Sequence, residues 1–429
     1  MHETVTRKVM WRLLPFLMLC YFAAFLDRVN VGFAALTMNR DLGLSASVYG
    51  FGAGIFFLGY FLFEVPSNLI LERVGARLWI ARIMVTWSLV SASTAFVTGE
   101  WSFYLVRILL GLAEAGFFPG LILYLTYWFP ARERGKVVGA FMAAVPISSA
   151  VGSPLSAWIL SATDGAHGLA GWQWLYLIEA APSFILGCLV LVCLTDRPAG
   201  ATWLTRAERD WLTDRIAQEA RETVEAPKLG LGRALLHPRV IGFTAVYFGL
   251  STGLYGIGLW LPQIVKNFGL TTVETGFVTA IPYLVSVVGM VLWTRHSDRT
   301  DERRWHVALP AIAGGLALAA AGYAGSPTLA MVALSFAALG VFSALATFWT
   351  LPTALLTGTA AAGGIALINA VGNLGGFVGP YVVGWIRETT GQFGFALLAL
   401  GGFMIAAGGL TVFLGRRVGP APVPASTSD

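Results

Sequence analysis

Only a handful of residues in this chain have the type and setting to do chemistry, and they are charges in apolar surroundings. Asp27 and Arg28 sit side by side in the first apolar run, Glu64 lies in the second, Arg107 and Glu114 in the fourth, and Glu179 in the sixth. A charge at the centre of a bilayer costs roughly 2.5–3.5 kcal/mol on insertion scales, so each is a functional candidate by default. Arg28 lies about 16 residues into its run, roughly 24 Å along a helix and toward its far end. Tyr21, Ala24 and Gly32 share its face, two of them small enough to leave room for a ligand. A buried guanidinium wants a planar anion that takes two parallel N–H bonds. A substrate carboxylate is one such partner, and a structural acid on a neighbouring helix is the other.

Glu114 stands about 11 residues into its run, roughly 17 Å deep. It has no adjacent cation in sequence, so it is a candidate to take up and release a proton, with a permanently neutral or paired acid as the alternative. Arg107 is two turns earlier on the same face. Asp27 points about 100° away from Arg28 around the helix. It is either a second proton site or the latch that positions Arg28. Glu64, two residues before Pro66, reads as an anchor for the arginine-rich loop that follows, and Glu179 is open between structure and function.

Other chemistries are poorly served. The five histidines, His2, His167, His237, His296 and His306, fall in tails or at the ends of apolar runs, without metal-ligand spacing. No Ser/His/Asp or Cys/His set assembles at depth. Cys188 and Cys193 lie too far apart on one helix to bridge, and Cys20 is in another run. The glycines at 363–364 and 372–379 lack the Lys-Ser/Thr of a nucleotide loop and suit close helix packing. The chain is therefore expected to be no enzyme and to hold no metal or cofactor.

The elements that must position these residues follow from composition. Of 429 residues, 56% are hydrophobic and 12% charged, half the usual charge of a soluble domain, about 25%; mean hydropathy is +0.72. Twelve stretches approach the roughly 20 apolar residues that cross a bilayer as a helix: 12–36, 47–71, 78–97, 103–129, 136–162, 173–194, 239–263, 273–295, 306–324, 328–352, 360–386 and 393–415. The alternating ten-residue segments of a membrane barrel are missing. The first run has no cleavage site before Asp27 and reads as a retained span rather than a signal peptide.

With the N-terminus inside, 23 of the 28 lysines and arginines fall in cytoplasmic tails and loops. Arg40, Lys266 and Arg387 lie outside, and Arg28 and Arg107 lie within spans. This bias puts both ends in the cytoplasm and assigns the net charge of +5 to topology rather than to nucleic acid. The expected fold is an all-α membrane protein of twelve helices in two six-helix halves. Its units are 1–194, a cytoplasmic linker 195–238, 239–416, and a disordered tail 417–429. Thr205 and Glu208 form a capping box that would open a surface helix in the linker. The second half offers few charges at depth but many polar and aromatic groups: Tyr247, Ser251, Tyr255, Tyr283, Trp349, Asn369 and Asn373.

The loop after span 2, Leu71-Glu-Arg-Val-Gly-Ala-Arg77, echoes the loop after span 8, Ser297-Asp-Arg-Thr-Asp-Glu-Arg-Arg304. These repeats, with Arg107-Ile-Leu-Leu-Gly111, resemble the major facilitator superfamily. Phe25-Leu-Asp-Arg-Val-Asn30, Phe63-Glu-Val-Pro-Ser-Asn68, Gly111-Leu-Ala-Glu-Ala-Gly-Phe-Phe-Pro119 and the Gly364–Gly376 segment resemble its anion:cation symporter family. The tartrate, phthalate and 4-hydroxyphenylacetate permeases are the branch nearest in pattern.

The resemblance implies proton-coupled uptake of a small organic carboxylate by rocker-switch alternating access in a bacterial inner membrane. It implies that Asp27 and Glu114 carry coupling, and that Arg28, Tyr60, Trp349, Asn369 and Asn373 bind substrate. Glu64, Glu72, Arg73, Arg77, Arg107, Asp298 and Arg299 would serve as gating or structural charges. Phe25 stands where sugar-acid carriers have Tyr, which argues against a highly polyhydroxylated substrate. The partners expected are an organic anion (hydroxy-acid, dicarboxylate or aromatic acid), protons and lipid, with no nucleic acid, and the chain is expected to act as a monomer. A proton-antiporting exporter of drugs or metabolites is the alternative.

Overall fold

A computed structural model describes residues 2–224, 237–355 and 359–415. Lys228, Arg233, Arg416, Arg417, part of the linker and the 417–429 tail lie outside the described residues. Among the described residues, twelve helices are long and apolar enough to cross a membrane: Thr4–Asp41, Ala46–Val74, Ala76–Phe96, Glu100–Trp128, Val137–Ala162, Gly171–Cys193, Pro238–Lys266, Thr272–Thr300, Arg304–Ala321, Pro327–Thr353, Gly364–Thr390 and Gly394–Leu414. They are spans 1 to 12. Several run past the apolar stretches read from sequence, because a backbone helix persists beyond the edge of the hydrocarbon layer when its ends are capped. Ser45 caps span 2 by accepting from the Val48 amide at 3.3 Å. Thr271 and Glu274 cap span 8 reciprocally, at 2.8 and 3.3 Å.

Thr205 and Glu208 make the same exchange at 2.8 and 3.3 Å and open the linker helix Arg206–Val224. Glu208 also accepts from Lys8 at 2.8 Å, tying that helix to the N-terminal end of span 1. The Lys8 ammonium and the Thr205 amide hold its carboxyl below the usual range.

Span 4 is broken, where a continuous helix was expected. The first piece ends at Glu114 and the second begins at Phe117. Between them Gly116 takes a φ of 83°, a left-handed conformation that glycine adopts without steric cost. Broken helices deliver backbone and side-chain groups to the midplane of transporters.

The halves meet where span 2 packs on span 11, span 5 on span 8 and span 1 on span 7. Their closest approaches lie toward the outer side. A side chain at Gly50 would run into the Pro380 carbonyl, and one at Gly384 into the Ala46 carbonyl, with the Gly50 Cα at 3.2 Å. Tyr49 donates to the Leu259 carbonyl at 2.8 Å at the same level. The cavity below this outer contact is lined by Phe118, Met142, Trp349 and Asn369 of spans 4, 5, 10 and 11.

Backbone atoms cannot yield to a side chain as a flexible tip does. Gly384→Leu is therefore expected to hold spans 2 and 11 apart at their outer ends and to stop turnover. In a background with its three native cysteines replaced, an impermeant thiol reagent added outside should then label Tyr255→Cys at least severalfold faster. Wild-type turnover by Gly384→Leu would show that this contact is not the outer closure.

Candidate functional site

Between the halves lies a narrow cavity of about 60 Å³. Arg28 from span 1, Tyr60 from span 2, Trp349 from span 10, and Asn369 and Asn373 from span 11 all line it. Five residues named from sequence, drawn from both halves, thus face one space. Tyr247 and Tyr255 join them from span 7, with Tyr21 and Phe118 from the first half.

Arg28 is the organising charge. One guanidinium nitrogen, Nη2, donates to Glu114 Oε1, and the other, Nη1, donates to the Tyr255 hydroxyl at 3.0 Å, across the two halves. Nε has no partner. Phe25, Phe56 and Tyr60 surround the group with ring centroids at 5.8, 5.3 and 5.6 Å, within cation–π range. Glu114 is the last residue of its helix segment, where the backbone dipole is negative and disfavours a carboxylate. The Arg28 cation offsets that, so the acid and the guanidinium depend on each other.

Asp27 takes no part in this pair. It is buried behind the cavity wall, accepting from Trp87 Nε1 at 3.0 Å, Ser91 at 3.4 Å and Ser183 at 2.5 Å. Its contacts hold span 1 against spans 3 and 6 in the orientation that sends Arg28 inward. Arg107 is also fully buried. Its Nη2 donates to the Ala53 carbonyl at 3.0 Å and its Nε to that of Gly52 at 3.4 Å, and it stacks 5.3 Å from the Phe56 ring. It pins span 4 to span 2.

Two expectations are corrected. Glu64 does not anchor the loop after span 2. It is buried at the interface, where Asn369 Nδ2 donates to its Oε1 and Asn373 in turn donates to Asn369 at 3.3 Å. The helix continues through Pro66 to Val74, which leaves Glu64 about 15 Å above the loop at 1.5 Å per residue. Gly32 does not make room for a ligand either. The Leu259 carbonyl lies 3.0 Å from where its Cβ would stand, so its smallness admits span 7.

The loop charges act within halves. Arg77 reaches Asp196, by its backbone amide at 2.8 Å, and the Leu191 carbonyl at 3.5 Å. Asp298 pairs with Arg303 at 2.6 Å, while Glu72, Arg73 and Arg299 are exposed. Sequence spacing also missed a contact nearby: His296 Nδ1 and His306 Nε2 lie 2.7 Å apart, and His306 Nδ1 meets Glu302 at 2.7 Å. The span 8–9 turn folds ten residues back on themselves to join them. No group of three His, Cys, Asp or Glu suited to a metal occurs among the described residues.

Comparison with known proteins places this geometry in context. The family model described as Major Facilitator Superfamily matches residues 17–380. A protein of Agrobacterium vitis named "Putative tartrate transporter" is 53% identical over 432 residues, covering 99% of this chain and 94% of its own. The "Quinolone resistance transporter" of Acinetobacter baumannii is 41% identical over 399 residues, covering 93% and 92%. Among solved structures, a bacterial homologue of the human lysosomal transporter Spinster, inward-facing and unoccupied, superposes with a TM-score of 0.77 at 17% identity. That match covers 97% of this chain and 99% of the other.

Proposed function

We propose that this chain, which belongs to the Major Facilitator Superfamily and is a multi-pass membrane transporter, imports a small organic carboxylate together with protons. The observation that carries this is the Arg28–Glu114 pair at the wall of the central cavity. With Glu114 ionised, its carboxylate occupies the guanidinium that a substrate would need. A proton on Glu114 removes that competitor and leaves Arg28 free to bind the substrate carboxylate, with Tyr255 as a further donor across the interface. One substrate carboxylate with one proton keeps the Arg28–Glu114 site without net charge, as the ion pair does before binding, and an uncharged site crosses the low-dielectric interior far more readily than a charged one. Asn369, Asn373, Tyr60 and Trp349 would orient the rest of the molecule. The name of the Agrobacterium relative supports a hydroxy-dicarboxylic acid such as tartrate as the first substrate to test.

Direction of transport is the deciding measurement. When the outside of right-side-out vesicles is acidified, labelled tartrate is expected to enter against its gradient, and a protonophore to abolish the accumulation. An exporter of the same superfamily is the second reading, favoured by the relative named for quinolone resistance. Net loss of preloaded acid under the same gradient would select it.

A further inference from the structure

Behind the cavity, inside the first half, a second polar cluster lies off the substrate path. Glu179 of span 6 is 2% exposed. Its Oε1 accepts from Ser156 of span 5 at 2.6 Å, and its Oε2 has no well-formed hydrogen bond among the described residues. Asn30 of span 1 is 0% exposed and its amide interacts with Glu179, although among the described residues neither its oxygen nor its nitrogen makes a well-formed hydrogen bond. The Tyr176 hydroxyl, one turn outward on span 6, is likewise buried and unpartnered. Leaving buried polar atoms unpaired is costly, so four on neighbouring side chains point to a shared role.

The helix geometry explains the placement. Spans 1 and 6 run antiparallel, and Asp27 meets Ser183 across them. Three residues outward on span 1 and four outward on span 6, Asn30 meets Glu179. The two acids therefore stack one turn apart. The other charges near them are accounted for: Glu114 is taken by Arg28, and Arg107 on span 4 binds backbone carbonyls. Span 3 contributes Ser91 and Trp87 and span 5 contributes Ser156, neither adding a charge at this depth. Asp27 receives three donors, which suits a carboxylate. Glu179 receives one, and its free oxygen faces an amide that can accept an O–H or, turned over, donate an N–H.

We propose that Glu179 is a second proton-binding site of the transporter, served by Asn30 in both protonation states and walled off from the substrate. When Glu179 is protonated, its Oε2–H donates to the Asn30 oxygen. When the proton leaves, the Asn30 nitrogen donates to the carboxylate. Tyr176 is the next hydroxyl toward the outer face. This rests on proton-coupled uptake and adds one proton to the cycle beyond the one on Glu114.

The test is thermodynamic, so that a role in packing alone cannot imitate it. In proteoliposomes with the membrane potential clamped at zero, each proton carried multiplies the limiting accumulation ratio about tenfold per pH unit of gradient. Radiolabelled tartrate, which does not cross the bilayer unaided, serves as probe. Glu179→Gln copies the neutral acid and is expected to keep exchange at equal pH while lowering the limiting ratio about tenfold per pH unit. An unchanged ratio would mean that Glu179 is a fixed neutral acid, and would overturn this proposal while leaving proton coupling intact. A wild type that exchanges the probe but never accumulates it would overturn proton coupling itself, and this proposal with it. Should Glu179→Gln fail to insert, Asn30→Ala keeps the acid but removes its partner. The pH of half-maximal driven uptake should then shift, and an unmoved profile would also overturn the assignment.

Discussion

Glu114→Gln is expected to lower the limiting accumulation ratio of the substrate acid about tenfold per pH unit of gradient, leaving only the proton on Glu179 to drive uptake, while exchange across the membrane stays close to wild type. The amide retains an oxygen that accepts from Arg28, so the helix end at Glu114 keeps its contact, but it carries no charge and takes up no proton. Removing one partner of a buried ion pair ordinarily costs 3–5 kcal/mol, because the other charge is left uncompensated. Here an anionic substrate can supply the compensation. The variant should consequently bind the acid more tightly at alkaline pH, where the wild-type carboxylate competes, and its exchange should lose most of its dependence on pH. Counterflow at several pH values, beside uptake driven by an imposed gradient, measures both effects. An unchanged limiting ratio in Glu114→Gln would remove Glu114 from coupling, and a loss of exchange and uptake together would make it structural.

Much of this arrangement was legible in residue types alone. Charges in long apolar runs are costly enough that Asp27, Arg28, Arg107, Glu114 and Glu179 stood out without any knowledge of contacts, and the apolar runs marked all twelve spans. Partners were a different matter. Arg28 and Glu114 are 86 residues apart, and their meeting depends on how two helices are rotated about their axes, which no local pattern encodes. The sequence separated Asp27 from Arg28 by helical angle, yet it did not reveal the pocket of Trp87, Ser91 and Ser183 that receives Asp27.

Glu64 was assigned to the nearest charges in sequence, although a helix that continues for ten residues carries it to a different depth. Asn30, Ser156 and Ser183 are small polar residues of the kind that helix packing uses everywhere, so nothing marked them until Glu179 and Asp27 were placed beside them. The break in span 4 did leave a signal: Gly116 followed by Pro119 is a stop and a restart, overlooked because the run remains apolar throughout.

Arg28→Lys tests the other half of the pair, and the outcome should differ in kind from that of Glu114→Gln. Lysine keeps the positive charge, so the carboxylate of Glu114 is still neutralised and the fold should stand. What it loses is the planar fork. One ammonium on a flexible stem cannot reach Glu114 and the Tyr255 hydroxyl while also presenting two parallel N–H groups to a substrate. Hydrogen bonds to charged groups contribute about 1.5–3 kcal/mol each, which corresponds to roughly 10- to 100-fold weaker binding. The loss should appear in the concentration dependence of exchange, with no proton gradient present, whereas the limiting accumulation ratio, fixed by stoichiometry, should not move for whatever acid is still carried. Tyr255→Phe removes one donor from the same fork and should fall between wild type and Arg28→Lys. An unchanged half-saturating concentration in Arg28→Lys would take the guanidinium out of substrate recognition and leave it as the counter-charge of Glu114 alone.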